Sequence, residues 1–209
     1  MCLFIVHSIL FYIILYNIIY ISICTFYPKY IINKNIKMNL LDNLVYIHSD
    51  ISDISINNTI IQIDQLILNN SIINFYIHSI GGDFNAGLKL IDFMNNKRKE
   101  KIQFHCFAKY AGSTAFTIYQ FCDKRYTTYS STLFQHEIKV TISGSLDSIS
   151  SWYKNNYTIL KNKYVNIEKI ISKRIDMDYL EYNKKVKEGW AIIGGISIIY
   201  NNLADEIVN

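Results

Sequence analysis

The sequence has no dense basic stripe, although its formal net charge is +4. Its lysines are scattered, and arginines do not alternate with aromatic residues in the pattern that tracks a phosphate backbone. Nucleic acid is therefore not expected as a partner. The sequence also has only one proline, while isoleucine, asparagine, tyrosine and lysine are heavily used. Such a skew is typical of codon bias in an AT-rich genome, so residue propensities carry less weight than the order of motifs.

The four cysteines form no CxxC pair and no Cys/His cluster with the spacing of a metal site. We expect neither a metal nor another cofactor. Cys2 and Cys24 lie in the N-terminal segment described next, so a processed chain would keep only Cys106 and Cys122. Cys106 falls in an alternating strand pattern, which predicts a small buried hydrophobic residue.

No charged residue occurs in the first 27 residues. This run is longer than the core of an ordinary secretory signal and is long enough to span a bilayer. The segment that follows, PKYIINKNIKMN, is basic and free of acids, as organelle transit peptides are. We therefore predict a leader over residues 1–40. It is either a two-part signal for an apicoplast-like plastid reached through the secretory route, or a membrane anchor.

The rest of the chain alternates strand and helix patterns, and its length suits one domain. The patterns predict strands at 43–50, 73–79, 102–108, 124–130 and 132–138, helices at 57–70, 85–96, 113–121 and 145–173, and a turn, a short helix and a final strand within 189–209. This alternation indicates an α/β domain over residues 41–209 with a largely parallel sheet.

Several motifs, from about Leu41 to Val208, resemble those of the proteolytic subunit of the Clp protease, a serine peptidase family. The stretch INFYIHSIGGDFNAGLKLIDFM is similar to the family's strand, SPGG turn, AG pair and helix with YDTM. KRYTTYSSTLFQHE is similar to KRFALPNSRVMIHQ, and YNNLADEI is similar to YGLVDSI. The resemblance implies a crotonase-like ββα superhelical fold and two stacked heptameric rings. It also implies that the helix at about 145–173 is the family's handle helix, which interlocks the rings.

The family's nucleophile motif, GQAASMGAF, can be matched to the chain in two ways. Aligning Ala111-Gly112-Ser113 with AAS makes Ser113 the nucleophile. A shift of one residue needs fewer gaps and puts Gly112 at that position, and this is the alignment that we prefer. Ser113 would then be a helix cap whose hydroxyl accepts a bond from a free backbone N–H. One step along a helix rotates a side chain by about 100°, so the two positions cannot serve the same imidazole.

A serine peptidase also needs a base, an acid behind it and backbone donors for the oxyanion. The resemblance assigns His136 as the base, because it keeps the family's interval from Lys124-Arg125. It assigns the oxyanion donors to the Gly81-Gly82 turn and to the residue after the nucleophile. Asp83 follows this turn, and its charge would oppose an oxyanion if it pointed inward.

The acid has no clear match in the sequence. Counting back from YNNLADEI places it near Val186, where there is no carboxylate. Glu188 is the nearest candidate, and Asp176 or Asp178 would serve only if the loop were rearranged. Loss of the acid costs about 10⁴ in rate in the well-studied serine proteases.

These features predict a ring subunit of a Clp-type protease that is itself inactive or impaired, similar to the inactive paralogues found in plastids. The resemblance implies other ClpP-like subunits in homo- or hetero-heptameric rings, an AAA+ Clp ATPase and unfolded protein substrates as partners. One alternative is an active endopeptidase that uses Ser113 and His136 with Glu188. Another is an acyl-CoA-binding protein, because the same superhelical fold carries enzymes that hold thioester enolates.

Overall fold

The computed structural model of the chain describes residues 43–48 and 50–208. The leader predicted over residues 1–40 lies outside the described residues. Over the described ranges the strands are β1 (Leu44–His48), β2 (Ile72–Ser79), β3 (Gln103–Gly112), β4 (Lys124–Gln135), β5 (Trp190–Ile193) and β6 (Glu206–Ile207). The helices there are α1 (Asp53–Leu66), α2 (Phe84–Lys99), α3 (Thr114–Gln120), α4 (Leu146–Arg174), α5 (Tyr179–Glu188) and α6 (Gly195–Tyr200).

The strands form one sheet in the order β1-β2-β3-β4-β5, and β6 pairs with the first part of β4. Strands β1 to β4 are parallel neighbours, whereas β5 runs antiparallel to β4. Each of the first three parallel pairs is joined by a helix, because parallel strands need a crossover connection. The predicted α/β class with a largely parallel sheet is confirmed.

The two faces of the sheet differ in character. On one face, residues such as Phe75 and Phe104 are fully buried in the core. On the other face, Tyr46, Tyr76 and Phe107 form a row across three neighbouring strands, with ring centroids 5.8 Å and 5.5 Å apart. Tyr46 keeps 53% of its surface exposed. The helices therefore cover one face here and leave an aromatic row on the other.

The first helix begins earlier than its hydrophobic pattern predicts. Ser52 caps α1 through a capping box with Ser55, which satisfies free N–H groups at the helix start. The buried positions are Ile56, Thr59 and Ile63. The prediction of a helix at 57–70 was wrong at its start, because isoleucines on the exposed side blurred the amphipathic pattern.

The second helix matches its prediction. α2 buries Ala86, Leu90, Ile91 and Met94 against the core. Its start is capped by Asp83, whose carboxylate accepts from the Ala86 N–H at 2.7 Å. This bond commits the Asp83 carboxylate to the helix start, so it does not oppose an oxyanion from within the site.

The two strands predicted at 124–130 and 132–138 are one continuous strand, β4. Its pairing with β3 shifts register between Ala108 and Tyr110. The shift brings Ser131 inward, where its hydroxyl donates to the Ala108 carbonyl at 2.7 Å. Such an irregularity re-aims a strand near its end, and the strand ends beside His136.

The long helix predicted at 145–173 is present as α4, while its role as the family's handle helix stays a prediction. Only Glu168, Ile171 and Ser172 are buried along its 29 residues. Several large residues in its N-terminal half, including Tyr153 and Ile159, are exposed. The part of this helix that meets the core is therefore short and lies near its C-terminal end.

The C-terminal part contains more structure than its sequence predicted. α5 begins at an Asp178 cap and ends at Gly189, whose φ of 79° ends the helix. The stretch predicted as a turn contains β5, which pairs with β4 before α6 and β6 follow. The lysine-rich composition of α5 hid the two buried positions, Tyr182 and Val186, that attach it to the core.

Cys106 is buried, as predicted, but it is also paired in a disulfide with Cys122, which the sequence did not predict. The two Cα atoms lie 5.8 Å apart, within the usual range for a disulfide. Among the described residues, no group of three or more metal-ligating side chains could hold a metal ion. Over the same residues, no helix combines the length and the hydropathy needed to cross a bilayer.

Candidate active site

The turn between β3 and α3 imposes an unusual backbone conformation on Ser113. This serine is the single residue between the strand, which ends at Gly112, and the helix, which begins at Thr114. Its φ is 52° and its ψ is −120°. Non-glycine residues rarely adopt such a conformation, which costs about 1–3 kcal/mol and is concentrated at functional sites.

The hydroxyl of Ser113 does not cap the helix. No side-chain hydrogen bond caps the start of α3, although the Ser113 N–H donates to the Phe134 carbonyl at 2.8 Å. The expectation that Ser113 serves as a helix cap was therefore wrong. Its backbone is held by the neighbouring strand, and its half-buried side chain lines a cavity.

Gly112 occupies a position with no room for a side chain. A Cβ atom there would lie 2.8 Å from the Ile80 carbonyl oxygen and 3.2 Å from the ring of Tyr110. Both contacts are on the side of the turn after β2. A side chain at this position would therefore meet backbone rather than enter the cavity that Ser113 lines.

The glycine turn after β2 lies directly against Ser113. Gly81 has a φ of 107°, and a Cβ atom on it would lie 2.8 Å from the Ser113 Cβ. The Thr114 hydroxyl donates to the Gly82 carbonyl at 2.8 Å, which ties the two turns together. The pair of glycines is thus required by the close approach as well as by positive φ.

A small cavity of about 100 Å³ brings the predicted site residues together. Ser113, His136 and Gly82 all line it. The other lining residues are Phe84, Thr114, Thr117, Gln135, Ile138, Lys139 and Tyr164. Gly82 and Thr114 line the cavity and each carry a backbone N–H group, and the first N–H groups of a helix have no acceptor within it. The cavity therefore combines a hydroxyl, an imidazole and candidate oxyanion donors.

His136 follows β4, where the chain leaves the sheet. Its Nδ1 lies 2.6 Å from the carbonyl oxygen of Glu137, and its ring lies 5.5 Å from that of Phe134. Because a carbonyl oxygen can only accept, this contact requires a proton on Nδ1. The other nitrogen, Nε2, is then the acceptor, as a general base toward a serine requires.

No carboxylate supports the imidazole among the described residues, since none of the ion pairs there includes His136. Asp178 caps α5, where it accepts from the Leu180 and Glu181 N–H groups. Asp176 and Glu188 are exposed. Val186, the position found by counting, is fully buried.

The chain segment next to His136 contains the end of α5 at Gly189 and the start of β5 at Trp190, and neither residue carries a carboxylate. Trp190 pairs with Gln135 in the antiparallel register of β5 and β4. Continuing that register by one residue puts Gly189 opposite His136. A Cβ on Gly189 would lie 3.8 Å from the Phe134 ring, which is ordinary contact. A Cβ atom therefore fits at this position, although the φ of 79° would strain a side chain there.

Two residues of α4 lie at the site or next to it, although the sequence did not predict them as site residues. Tyr164 lines the cavity and donates to the His136 carbonyl at 3.4 Å. Glu168, one helical turn later, is 1% exposed. Burial raises the pKa of the Glu168 carboxyl, although its neighbours Tyr164, Asn183 and Tyr179 oppose this rise. The sequence signal was a tyrosine and a glutamate four residues apart, which places them on one helix face.

The chain also matches a known protein family. Residues 31–188, most of the chain, match the family model of the Clp protease. No curated protein matches the chain. The matched range contains the glycine turn, the β3–α3 turn, His136 and the whole of α4. The chain therefore belongs to the Clp protease family, as a ClpP-like subunit of an oligomeric protease core.

Proposed function

We propose that this subunit has a weak serine peptidase site, in which Ser113 is the nucleophile and His136 is the base, without a carboxylate behind the imidazole. The observation that carries the proposal is the strained backbone of Ser113 in a cavity that His136 also lines. Gly112 is not favoured as the nucleophile position because its missing side chain would meet the Ile80 carbonyl. In this proposal Ser113 is matched to the family's nucleophile, and not Gly112 as in the alignment that we preferred from the sequence.

In the first step His136 Nε2 takes the Ser113 proton while the hydroxyl oxygen attacks a peptide carbonyl. The Glu137 carbonyl keeps the Nδ1 proton in place, so the tautomer is correct. The negative charge that develops on the substrate oxygen is stabilised by the N–H groups of Gly82 and Thr114. His136 then gives its proton to the leaving amine, and water hydrolyses the acyl-enzyme in the same way.

The missing carboxylate makes this site slow. A carbonyl dipole can fix the tautomer, but it stabilises the imidazolium less than a full negative charge does. Replacing the acid of a serine protease by an amide costs about 10⁴ in rate, while the oxyanion donors and substrate binding keep a residual 10³–10⁴ over water. The expected activity therefore lies well below that of a complete triad and above zero.

A fluorophosphonate probe tests this proposal, because it reacts with a serine that has an activated hydroxyl. The purified full chain is incubated with the probe, digested, and mapped by mass spectrometry. Slow, covalent labelling at Ser113 that is lost in Ser113→Ala supports the proposal. Absence of labelling over many hours would show an inactive subunit, and labelling at a different serine would overturn the assignment.

We further propose that the subunit works in a mixed or homomeric ring with an AAA+ Clp ATPase that delivers unfolded proteins. The aromatic row of Tyr46, Tyr76 and Phe107 supports this, because exposed apolar patches commonly mark docking surfaces. Native mass spectrometry of the complex purified from its own cells would identify ring size and composition. A ring that contains no other ClpP-like chain would establish the homomeric form, and recovery as a monomer would contradict assembly.

For localisation, we propose an apicoplast-like plastid, which the uncharged leader followed by a basic, acid-free segment supports. A fusion of residues 1–40 to a fluorescent protein should be imported into the plastid and cleaved. Retention in a secretory membrane without cleavage would favour the alternative of a membrane anchor.

A further inference from the structure

One buried carboxylate beside the site has no part in the proposed mechanism. The Oε2 atom of Glu168 accepts from the Tyr179 hydroxyl at 3.3 Å and from the Asn183 amide at 3.2 Å. Its Oε1 atom is buried and makes no hydrogen bond in the described part of the chain. A negative charge with one unsolvated oxygen is costly, so this environment favours the protonated carboxyl group.

Tyr164 connects this carboxyl group to the base. Its hydroxyl donates to the His136 carbonyl at 3.4 Å, and Glu168 lies four residues further along α4, on the same face of the helix. Its ring packs edge-on against Phe84, another residue of the cavity wall, with centroids 5.7 Å apart. Tyr164 thus has two possible acceptors for its hydroxyl group and only one proton to donate.

We propose that Glu168 and Tyr164 are positioning residues for His136, with the protonated Glu168 carboxyl donating to the Tyr164 oxygen and the Tyr164 hydroxyl donating to the His136 carbonyl. When Glu168 loses its proton to solvent, the Tyr164 hydroxyl turns to the carboxylate, which is the stronger acceptor. The His136 carbonyl then loses its donor, and the segment that carries the imidazole is less firmly held. The catalytic consequence of this inference rests on the proposed function.

The groups that face Glu168 come from three elements. Tyr164 lies on α4 itself, Tyr179, Tyr182 and Asn183 lie on α5, and Glu137 follows β4. None of these groups is a cation, and the charge of Glu137 adds to the rise in the pKa of Glu168. Ionisation of Glu168 is therefore expected above the usual pH range of a glutamate.

The His136 carbonyl can be observed by itself in solution. His136-Glu137 is the only His-Glu pair in the sequence. Labelling histidine with ¹³C at the carbonyl and glutamate with ¹⁵N therefore gives one cross-peak in an HNCO spectrum of the full chain. The carbonyl resonance of this peak reports the hydrogen bond from Tyr164.

Three variants separate the positioning contact from a general structural role. Tyr164→Phe keeps the ring against Phe84 and removes the donor, so the His136 carbonyl resonance should shift at low pH. Glu168→Gln keeps a donor in place of the protonated carboxyl and cannot ionise, so the resonance should remain at its low-pH position as the pH rises. Tyr179→Phe is the matched control, because it removes another hydroxyl from Glu168 without touching His136.

The wild-type resonance should move with rising pH and the Glu168→Gln resonance should not, because only the wild-type chain has an ionisable group at residue 168. Equal titration in wild type and Glu168→Gln would overturn the proposal. So would a Tyr164→Phe spectrum that is unchanged at low pH, or a Tyr179→Phe shift as large as that of Tyr164→Phe.

Fluorophosphonate labelling gives the functional readout. The ratio of the Glu168→Gln rate to the wild-type rate should be near unity at low pH and rise to about tenfold at high pH, the factor for one ordinary hydrogen bond. A ratio that does not change with pH would contradict the catalytic role of the contact. If the carbonyl resonances behave as expected while Ser113 is never labelled, the positioning contact stands and the proposed peptidase activity fails.

Discussion

The two halves of the candidate site are held by different means. On the nucleophile side, strain at Ser113, the close approach of Gly81 and the bond from Thr114 to the Gly82 carbonyl fix the geometry. On the base side, His136 lies beyond the end of a strand and is held by its neighbour's carbonyl and by a 3.4 Å bond from Tyr164. Backbone contacts therefore fix most of the nucleophile side, whereas the base side depends in part on the Tyr164 side chain.

The two halves should therefore differ in how well they tolerate amino-acid substitutions. Backbone donors and tight turns tolerate most side-chain substitutions, provided that the glycines remain. An acid is a single side chain, and its loss leaves the fold intact while removing the charge behind the imidazole. We therefore expect the nucleophile half to retain its chemistry and the base half to limit the rate.

The largest expected effect is on the nucleophile side. Ser113→Ala should abolish covalent labelling by a fluorophosphonate, because the probe has no other activated hydroxyl in the cavity. The measurement is the labelled fraction by intact-protein mass spectrometry. Ser151→Ala, on the exposed part of α4, is the control and should label like wild type. Labelling that survives in Ser113→Ala would remove Ser113 from the mechanism.

Removing the base should have the next largest effect. His136→Ala should lower the labelling rate by about 10²–10⁴, the usual contribution of a general base. Exposed His48 provides the control variant, His48→Ala, with an unchanged rate. An equal rate in His136→Ala and wild type would mean that Ser113 reacts without help from this imidazole.

Adding a carboxylate near His136 should raise the labelling rate. Gly189→Asp places a carboxylate directly before β5, at the position that continues the β4–β5 register opposite His136 and where a Cβ fits against Phe134, and aspartate tolerates positive φ better than most residues. We expect a labelling rate about 10-fold to 100-fold higher, a fraction of the 10⁴ that the acid contributes elsewhere.

The neutral variant Gly189→Asn is the matched control for Gly189→Asp and should give no increase. Glu188→Gln tests the alternative in which Glu188 is a displaced acid. A fall in rate in Glu188→Gln would support that alternative and would explain a failure of Gly189→Asp.

The smallest expected effect concerns stability rather than rate. Burial, as the largest cause, raises the pKa of Glu168 above its value in the unfolded chain. The associated stabilisation is therefore fully present below the unfolded pKa and is lost as the pH rises through the folded one. With rising pH, the free energy of unfolding should therefore fall less in Glu168→Gln than in wild type. Urea unfolding between about pH 5 and pH 9 would measure this difference. Parallel profiles for the two chains would contradict the raised pKa.

The sequence predicted the order of elements well because the central strands and α2 have clear hydrophobic patterns. It failed where a boundary depended on capping, as at Ser52 before α1, or on burial of a few residues within a charged helix, as in α5. The disulfide between Cys106 and Cys122 could not be predicted from spacing, since it depends on how β3 and the end of α3 meet. The leader and the choice between plastid and anchor stay predictions.

For the candidate site, the sequence pointed to Ser113, His136 and the glycine turn, of which Ser113, His136 and Gly82 line one cavity; their catalytic roles and the missing acid stay predictions. It could not choose between Gly112 and Ser113, because a gap can be placed on either side of the turn at little cost to an alignment. The backbone geometry favours Ser113, because φ and ψ at a turn follow from the strands and helices on both sides. For Tyr164 and Glu168, the sequence pattern shows only that they share one face of a helix. The fold decides which residues of other elements they contact.

The sequence by itself determined the family, the α/β class and the types of side chain available for chemistry, because these follow from the order of motifs along the chain. Only the tertiary structure decided which side chains share a cavity, which glycine has no room for a side chain, and which carboxylate is buried next to that cavity. These depend on contacts between residues far apart in sequence, such as Gly81 with Ser113 and Tyr164 with His136. The local sequence pattern does not show such contacts.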